Sequence, residues 1–173
     1  MRYAVLLRGV NVGGIKVTMA ELRTAFADAG LANVTTLLAS GNVLLDSEAS
    51  EEAVKDTCER VLGDTFGYQA WVLVYTTEQI REIVDAYPFE RVDDLKHPYV
   101  IFSHDGVSTS ELAEIADLEP SLEQVAPGPH NVLYWQVDRG STLDSKIGKA
   151  SAKSRYKSTT TTRNLRTVEK LLA

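Results

Sequence analysis

The chain has 173 residues, of which 44% are hydrophobic and 24% charged, and a formal net charge of −6. This composition is typical of a folded globular protein and excludes intrinsic disorder, collagen and coiled coil for the whole chain. A single cysteine, Cys58, excludes an intramolecular disulfide and a thiolate cluster, and three scattered histidines lack ligand spacing. We therefore predict no metal site and no cofactor. No stretch reaches the ~18 apolar residues of a membrane span, so we predict a cytoplasmic protein without membrane contact.

The first part of the chain predicts the element order β-α-β-β-α-β. Thr18 and Glu21 form a capping box that starts the first helix, and Gly30 ends it. Ser50 is the expected cap of the second helix. The predicted strands cover residues 3–8, 34–39, 43–46 and 68–75, and the predicted helices cover residues 18–29 and 51–62. This order is that of a ferredoxin-like unit with an antiparallel sheet.

A second unit of the same kind is predicted after a connecting helix that begins near residue 76. Its predicted strands cover residues 98–103, 122–126 and 131–137, and its helices cover residues 108–116 and 142–152. The hairpin turns at Gly41 and Gly128 lie 87 residues apart, which supports an internal duplication. Two interpretations of the following segment stay open: a final strand over 156–161, or a mobile loop over 153–162.

The predicted fold class is therefore α+β, with tandem ferredoxin-like units, antiparallel sheets and a C-terminal helix. That last helix covers about 163–172 and buries Leu165, Val168 and Leu172. The predicted division is a first ferredoxin-like unit at 1–76, a connecting helix and loop at 77–96, a second unit at 97–162 and the C-terminal helix at 163–173.

The densest candidate binding motif is the glycine-rich segment between the first strand and the first helix. Glycines permit positive φ and let a ligand approach backbone N–H groups, and basic residues at both ends add positive charge. The spacing is close to that of a nucleotide P-loop, but Ile15 stands in place of the lysine, so we exclude an ATPase. The predicted anion-binding residues here are Arg8, Asn11, Gly13, Gly14 and Lys16. The alternative is a turn that folds over the sheet edge, with Arg8 paired to a carboxylate of the chain.

The turn Ser40-Gly41-Asn42 is a second candidate. Ser40 and Asn42 carry polar side chains that can bind a ligand, and the alternative is that they serve only the turn. The sequence does not determine whether this turn meets the glycine-rich segment.

Positive charge is concentrated near the C-terminal end of the sequence. Residues 139–173 contain nine basic and two acidic residues, a net +7, whereas the rest of the chain carries −13. Cations, hydroxyl groups and a helix N-terminus near residue 163 together favour an oxyanion. The candidate residues are Lys146, Lys149, Arg163 and Asn164. The alternative is a solvated basic face with a capping threonine.

Three functions are compatible with these motifs. The first is a binder of, or an enzyme acting on, a small anionic metabolite or nucleotide; whether it is an enzyme stays open, because no known catalytic motif is present. The second is a non-catalytic interaction or homo-oligomeric assembly protein. The third, an RNA-binding module, is disfavoured by the pI of 5.1 and by the lack of an aromatic cluster in the first strand.

Several motifs resemble a bacterial family of unknown function, the domain of unknown function numbered 1697. The resembling segments are residues 6–14, 19–23, 38–44, 87–89 and 162–171. The sequence departs from the family at Tyr87, where asparagine is frequent, and at Leu165, where tryptophan is frequent. The resemblance implies a compact α/β protein built on ferredoxin-like units, and it implies no activity.

Overall fold

Two four-stranded antiparallel sheets form the framework of the structure. The structure is a computed structural model that describes residues 1–8, 16–37, 41–115 and 117–173. The chain divides into two compact units. Unit 1 comprises residues 1–80 with 171–173, and unit 2 comprises residues 81–170. The predicted α+β class is confirmed.

Unit 1 has the predicted β-α-β-β-α-β order. Its elements are β1 (Arg2–Arg8), α1 (Met19–Asp28), β2 (Ala32–Leu37), β3 (Asn42–Asp46), α2 (Glu51–Phe66) and β4 (Trp71–Thr76). The strand order is β2-β3-β1-β4, so β1 and β3 lie in the centre of the sheet. The predicted end of β2 at residues 38–39 lies outside the described residues.

The helix caps of unit 1 follow from local side-chain chemistry. The Thr18 hydroxyl accepts a hydrogen bond from the Glu21 N–H at 3.2 Å, which confirms the predicted cap of α1. Ser50 caps α2 in the same way, at 3.3 Å from the Ala53 N–H. Both helices pack their apolar faces on the same side of the sheet, where Phe26 and Cys58 are fully buried with Val5. This burial of apolar surface is the main stabilising contribution within the unit.

Unit 2 repeats the topology of unit 1. Helix α3 (Thr77–Asp85) crosses the division of the chain, with its residues from Arg81 onward in unit 2. The remaining elements are β5 (Lys96–Ser103), α4 (Val107–Ala113), β6 (Glu123–Pro127), β7 (Leu133–Asp138), α5 (Lys146–Ser151), β8 (Thr160–Asn164) and α6 (Leu165–Lys170). The strand order β6-β7-β5-β8 is the same permutation as in unit 1. The two sheets thus have equivalent central strands, β1 and β3 in one and β5 and β7 in the other.

The segment that the sequence left open contains a strand. A 3-10 helix at Ser154–Tyr156 is followed by β8, which pairs antiparallel with β5 up to Asn164 opposite Tyr99. The expected helix start at residue 163 is therefore wrong. The run of threonines, which suits a strand, continues the pairing through residue 164. The Asn164 Oδ1 then accepts a hydrogen bond from the Arg166 N–H at 3.0 Å, so helix α6 begins at Leu165.

The glycine of the second hairpin generates a stability prediction. A Cβ at Gly128 would lie 2.3 Å from Cε2 of Tyr134, whose ring is 1% exposed and whose hydroxyl donates to the Ile83 carbonyl. Because the ring is fixed at both ends, we expect Gly128→Ala to lower the free energy of unfolding by about 1–3 kcal/mol in urea denaturation.

The matched control is the same substitution inside α2. A Cβ at Gly63 would meet only the Tyr68 carbonyl oxygen at 3.4 Å, an ordinary contact. Gly63→Ala is expected to raise the free energy of unfolding by about 0.5–1 kcal/mol, because alanine favours a helix interior. Equal effects of the two substitutions would contradict the explanation by steric overlap.

Candidate functional site

The end of β1 and the first hairpin meet at one edge of the sheet in unit 1. The Leu7 N–H donates to the Gly41 carbonyl at 2.8 Å, and Leu6 lies opposite Asn42 in the β1–β3 register. Arg8 is the last residue of β1, so two of the sequence candidates, Arg8 and Asn42, are brought together. Lys16 is exposed two residues before the cap of α1. The other predicted residues of these motifs lie outside the described part of the chain: Asn11, Gly13, Gly14 and Ser40.

Strand register adds a third side chain to this edge. Arg8 lies directly opposite Trp71 in the β1–β4 pairing. Directly opposite residues of an antiparallel pair project to the same face, and so do alternate residues along a strand. Arg8, Trp71 and Asn42 therefore share one face, the one that points away from α1 and α2. We call this set of three residues the Arg8 edge.

The Arg8 edge combines a partly desolvated cation with a polar and an aromatic side chain. Arg8 is half-buried, and burial lowers the pKa of its guanidinium from the usual value. Asn42 is fully buried, and its Nδ2 donates to the Leu37 carbonyl at 3.1 Å, which holds the amide in place. Trp71 is half-buried. Sequence reasoning missed Trp71 because only the strand register reveals it as the partner of Arg8.

The predicted anion site at Lys146 and Lys149 on α5 holds a carboxylate of the chain itself. Glu123 is 2% exposed, and its two oxygens accept hydrogen bonds from the N–H groups of Lys146 at 2.9 Å and Ile147 at 3.4 Å. The indole N–H of Trp135 donates to the same carboxylate at 3.0 Å. The positive end of α5 is thus neutralised internally.

The side chains of the predicted basic site differ in their hydrogen-bond partners and in their position in the fold. Lys146 donates through Nζ to the Asp117 carbonyl, whereas Lys149 is exposed. Arg163 lies on β8 opposite Val100, and its Nη1 donates to the Thr161 hydroxyl at 2.5 Å. Asn164 serves as the cap of α6 described above. Arg163 and Asn164 therefore act in the strand and at its junction with α6, instead of at the predicted helix start.

The described residues offer neither a metal site nor a membrane span. Among them, no group of three or more His, Cys, Asp or Glu side chains is placed to hold a metal ion. Across the same residues, no helix has the length and apolar character needed to cross a membrane. Cys58 is fully buried, and burial raises the pKa of its thiol to about 12. The thiol is therefore part of the core and not a nucleophile.

Comparisons with known proteins give a family and a structural neighbour. A family described as "Protein of unknown function (DUF1697)" matches residues 1–134. The search of curated proteins found no match. Among solved structures, the chain is similar to a conserved bacterial protein from Streptococcus pneumoniae, with 27% identity and a TM-score of 0.80. That match covers 98% of this chain and 96% of the other chain.

Removal of the internal carboxylate at α5 should destabilise unit 2. Glu123→Ala leaves three N–H donors without their acceptor, namely those of Trp135, Lys146 and Ile147. We expect the free energy of unfolding to fall by about 2–4 kcal/mol in urea denaturation, since each unsatisfied buried donor is costly. Glu119→Ala, at an exposed position, is the control and should change little. A small effect at Glu123 would show that water replaces the carboxylate.

The thiol of Cys58 should be inert in the folded protein. Because burial raises its pKa to about 12, the thiolate population at pH 8 is negligible. We expect iodoacetamide to label Cys58 only after denaturation, as measured by intact mass. Rapid labelling of the native protein at pH 8 would contradict the buried position.

Proposed function

Because the chain belongs to the DUF1697 family of proteins of unknown function, which supplies no activity, we propose a function from geometry: the protein binds a small anionic metabolite or nucleotide at the Arg8 edge. In this proposal it is a cytoplasmic bacterial protein, and its ligand carries a phosphate or carboxylate group. The glycine-rich segment 9–14 follows Arg8 directly in the chain, and its backbone N–H groups would join Arg8 in binding that group.

The half-buried guanidinium of Arg8 is the observation that carries this proposal. Moving a cation out of water is costly, and the lowered pKa of Arg8 expresses that cost. A guanidinium presents a planar set of N–H donors that matches two oxygens of a phosphate or carboxylate. An anion at this edge would meet a guanidinium that is partly shielded from water, where salt screens charge interactions less than at an exposed surface.

Trp71 and Asn42 favour a small organic ligand over a bare ion. An aromatic ring beside a guanidinium provides a flat apolar surface against which a base or a carbon skeleton can pack. Asn42 is held by its bond to the Leu37 carbonyl, so it fixes the shape of the edge. Arg8 and Trp71 would contact the ligand while Asn42 holds the edge in shape, and none of the three exchanges protons at neutral pH. The proposed function of these residues is therefore to bind the small anionic ligand.

An extended RNA is a poorer partner for this edge. RNA-binding sheets of this topology stack two or three bases on several aromatic side chains. The net charge of −6 also opposes binding of a polyanion. A ligand with one or two anionic groups meets this repulsion only weakly.

Thermal unfolding with a ligand panel tests the proposal. The panel contains nucleotides, sugar phosphates, small carboxylic acids and short RNA at low and moderate salt. A ligand at 100 times its dissociation constant adds about 2.7 kcal/mol to stability, which raises Tm by several degrees. We expect at least one small anion to do so, and we expect Arg8→Ala to abolish the effect. Arg8→Lys keeps the charge but lacks the planar set of guanidinium donors, so it should retain only part of the rise in Tm.

Arg60→Ala is the matched control, because Arg60 is an exposed arginine of the same unit. It should leave the ligand effect unchanged. If no compound raises Tm and Arg8→Ala itself strongly lowers the free energy of unfolding, Arg8 has a structural role and the proposal fails. A response to RNA alone that weakens steeply with salt would support the RNA-binding alternative instead.

A further inference from the structure

Unit 2 contains a cluster of arginines near the start of β5 that the proposed function does not use. Three arginines surround two carboxylates there, so the cluster carries one excess positive charge. The members are Arg91, Arg139, Arg166, Asp93 and Glu169. The cluster draws on the loop before β5, the end of β7 and helix α6.

Arg91 and the two carboxylates satisfy one another. The Nε and Nη2 of Arg91 donate to the two oxygens of Asp93 at 2.9 and 2.6 Å, and its Nη1 donates to Glu169 at 2.7 Å. These hydrogen bonds, first of all the two that Arg91 donates to Asp93, raise the pKa of Arg91, and the same two bonds lower the pKa of Asp93. This bidentate pairing holds the side chains of Arg91 and Asp93 in position.

Arg139 and Arg166 are only partly used by the protein. Arg139 donates through Nε to the Asp93 backbone carbonyl at 2.7 Å, and its two Nη groups have no protein partner among the described residues. The Nε of Arg166 lies 3.9 Å from Oδ2 of Asp93, beyond hydrogen-bond distance, and its side chain is 52% exposed. Both guanidinium groups thus approach Asp93 and keep donors available to a ligand.

His97 lies near this cluster through the strand register: it is opposite Val137 in the β5–β7 pairing, and the N–H of Arg139, two residues after Val137, donates to the Leu95 carbonyl at 3.0 Å. Its Nδ1 is buried and has no hydrogen-bond partner among the described residues, and its ring packs 5.3 Å from the ring of Tyr99. Burial lowers the pKa of His97, as do the charges of Arg139 and Arg166, while Asp93 opposes them. An unsatisfied buried nitrogen is costly and calls for a polar group that the described protein does not supply.

We propose that Arg139, Arg166 and His97 form a binding site for the phosphate or carboxylate group of a small ligand. The two guanidinium groups supply the charge and the donors, and the imidazole supplies its buried Nδ1, which has no hydrogen-bond partner among the described residues. The Arg91–Asp93 pair holds Arg139 through the Asp93 carbonyl, so the site is fixed in the free protein. This site does not rest on the Arg8 edge, because all of its residues belong to unit 2.

NMR of the His97 ring gives a readout within the site itself. The ring signals are assigned by their loss in His97→Gln, and the full chain is titrated with inorganic phosphate against sodium chloride at matched ionic strength. We expect a saturable shift with phosphate and a rise in the pKa of His97, because a bound anion favours the imidazolium. A parallel titration with malonate distinguishes a carboxylate ligand from a phosphate ligand.

Two variants test the roles of the arginines. Arg166→Gln should weaken phosphate binding about tenfold, and Arg139→Lys should weaken it less, since lysine keeps the charge. Arg81→Gln, at an exposed arginine on α3, is the matched control and should change nothing. An identical shift with sodium chloride, or no shift with phosphate and malonate alike, would overturn the proposal. So would unaltered phosphate affinity in Arg166→Gln when its amide spectrum is that of the folded protein.

Discussion

Pairing of the two central strands in each sheet is the constraint on which the rest of the structure depends. In unit 1, β1 is bonded to both β3 and β4, so its register fixes which residues stand side by side at the sheet edge. A slip of one residue would move Arg8 to the helix-covered face, where Val5 and Leu7 are buried. The hydrophobic alternation of β1 and its neighbours therefore determines the composition of the Arg8 edge.

Local sequence patterns predicted the helices and their caps. They did not predict how strands distant in the sequence pair with one another. Thr18, Ser50 and the apolar face of α2 act within a few residues, and their helices match the predictions closely. The duplicated βαββαβ order followed from the spacing of these elements. The sequence did not predict the end of β8. The threonines before Asn164 suit a strand and a helix cap equally, and only the pairing with β5 distinguishes the two. Trp71 entered the candidate site for the same reason, through a register that no local pattern encodes.

Part of the positive charge near the C-terminal end is paired within unit 2, and one helix N-terminus there is occupied by a carboxylate. Glu123 occupies the N-terminus of α5, Arg155 lies 3.6 Å from Glu111, and Arg166 lies near Asp93. The sequence analysis named Lys146 and Lys149 as part of an anion site, and the N–H groups of Lys146 and Ile147 do bind a carboxylate, that of Glu123. It could not show that this carboxylate is a buried side chain of the protein itself. Arg139 and Arg166, which keep donors available, are not among the anion-binding residues predicted from the sequence.

The same strand order has a consequence for the kinetics of folding. The hairpins β2–β3 and β6–β7 are local and can form in about 1–10 μs. The outer strands close far longer loops: Tyr3 pairs with Thr76 and Tyr99 with Asn164, across 73 and 65 residues. Closure of such loops costs chain entropy before the contacts repay it, which raises the contact order and slows folding. Each sheet is thus expected to grow outward from its hairpin, and β4 and β8 are the last strands to join.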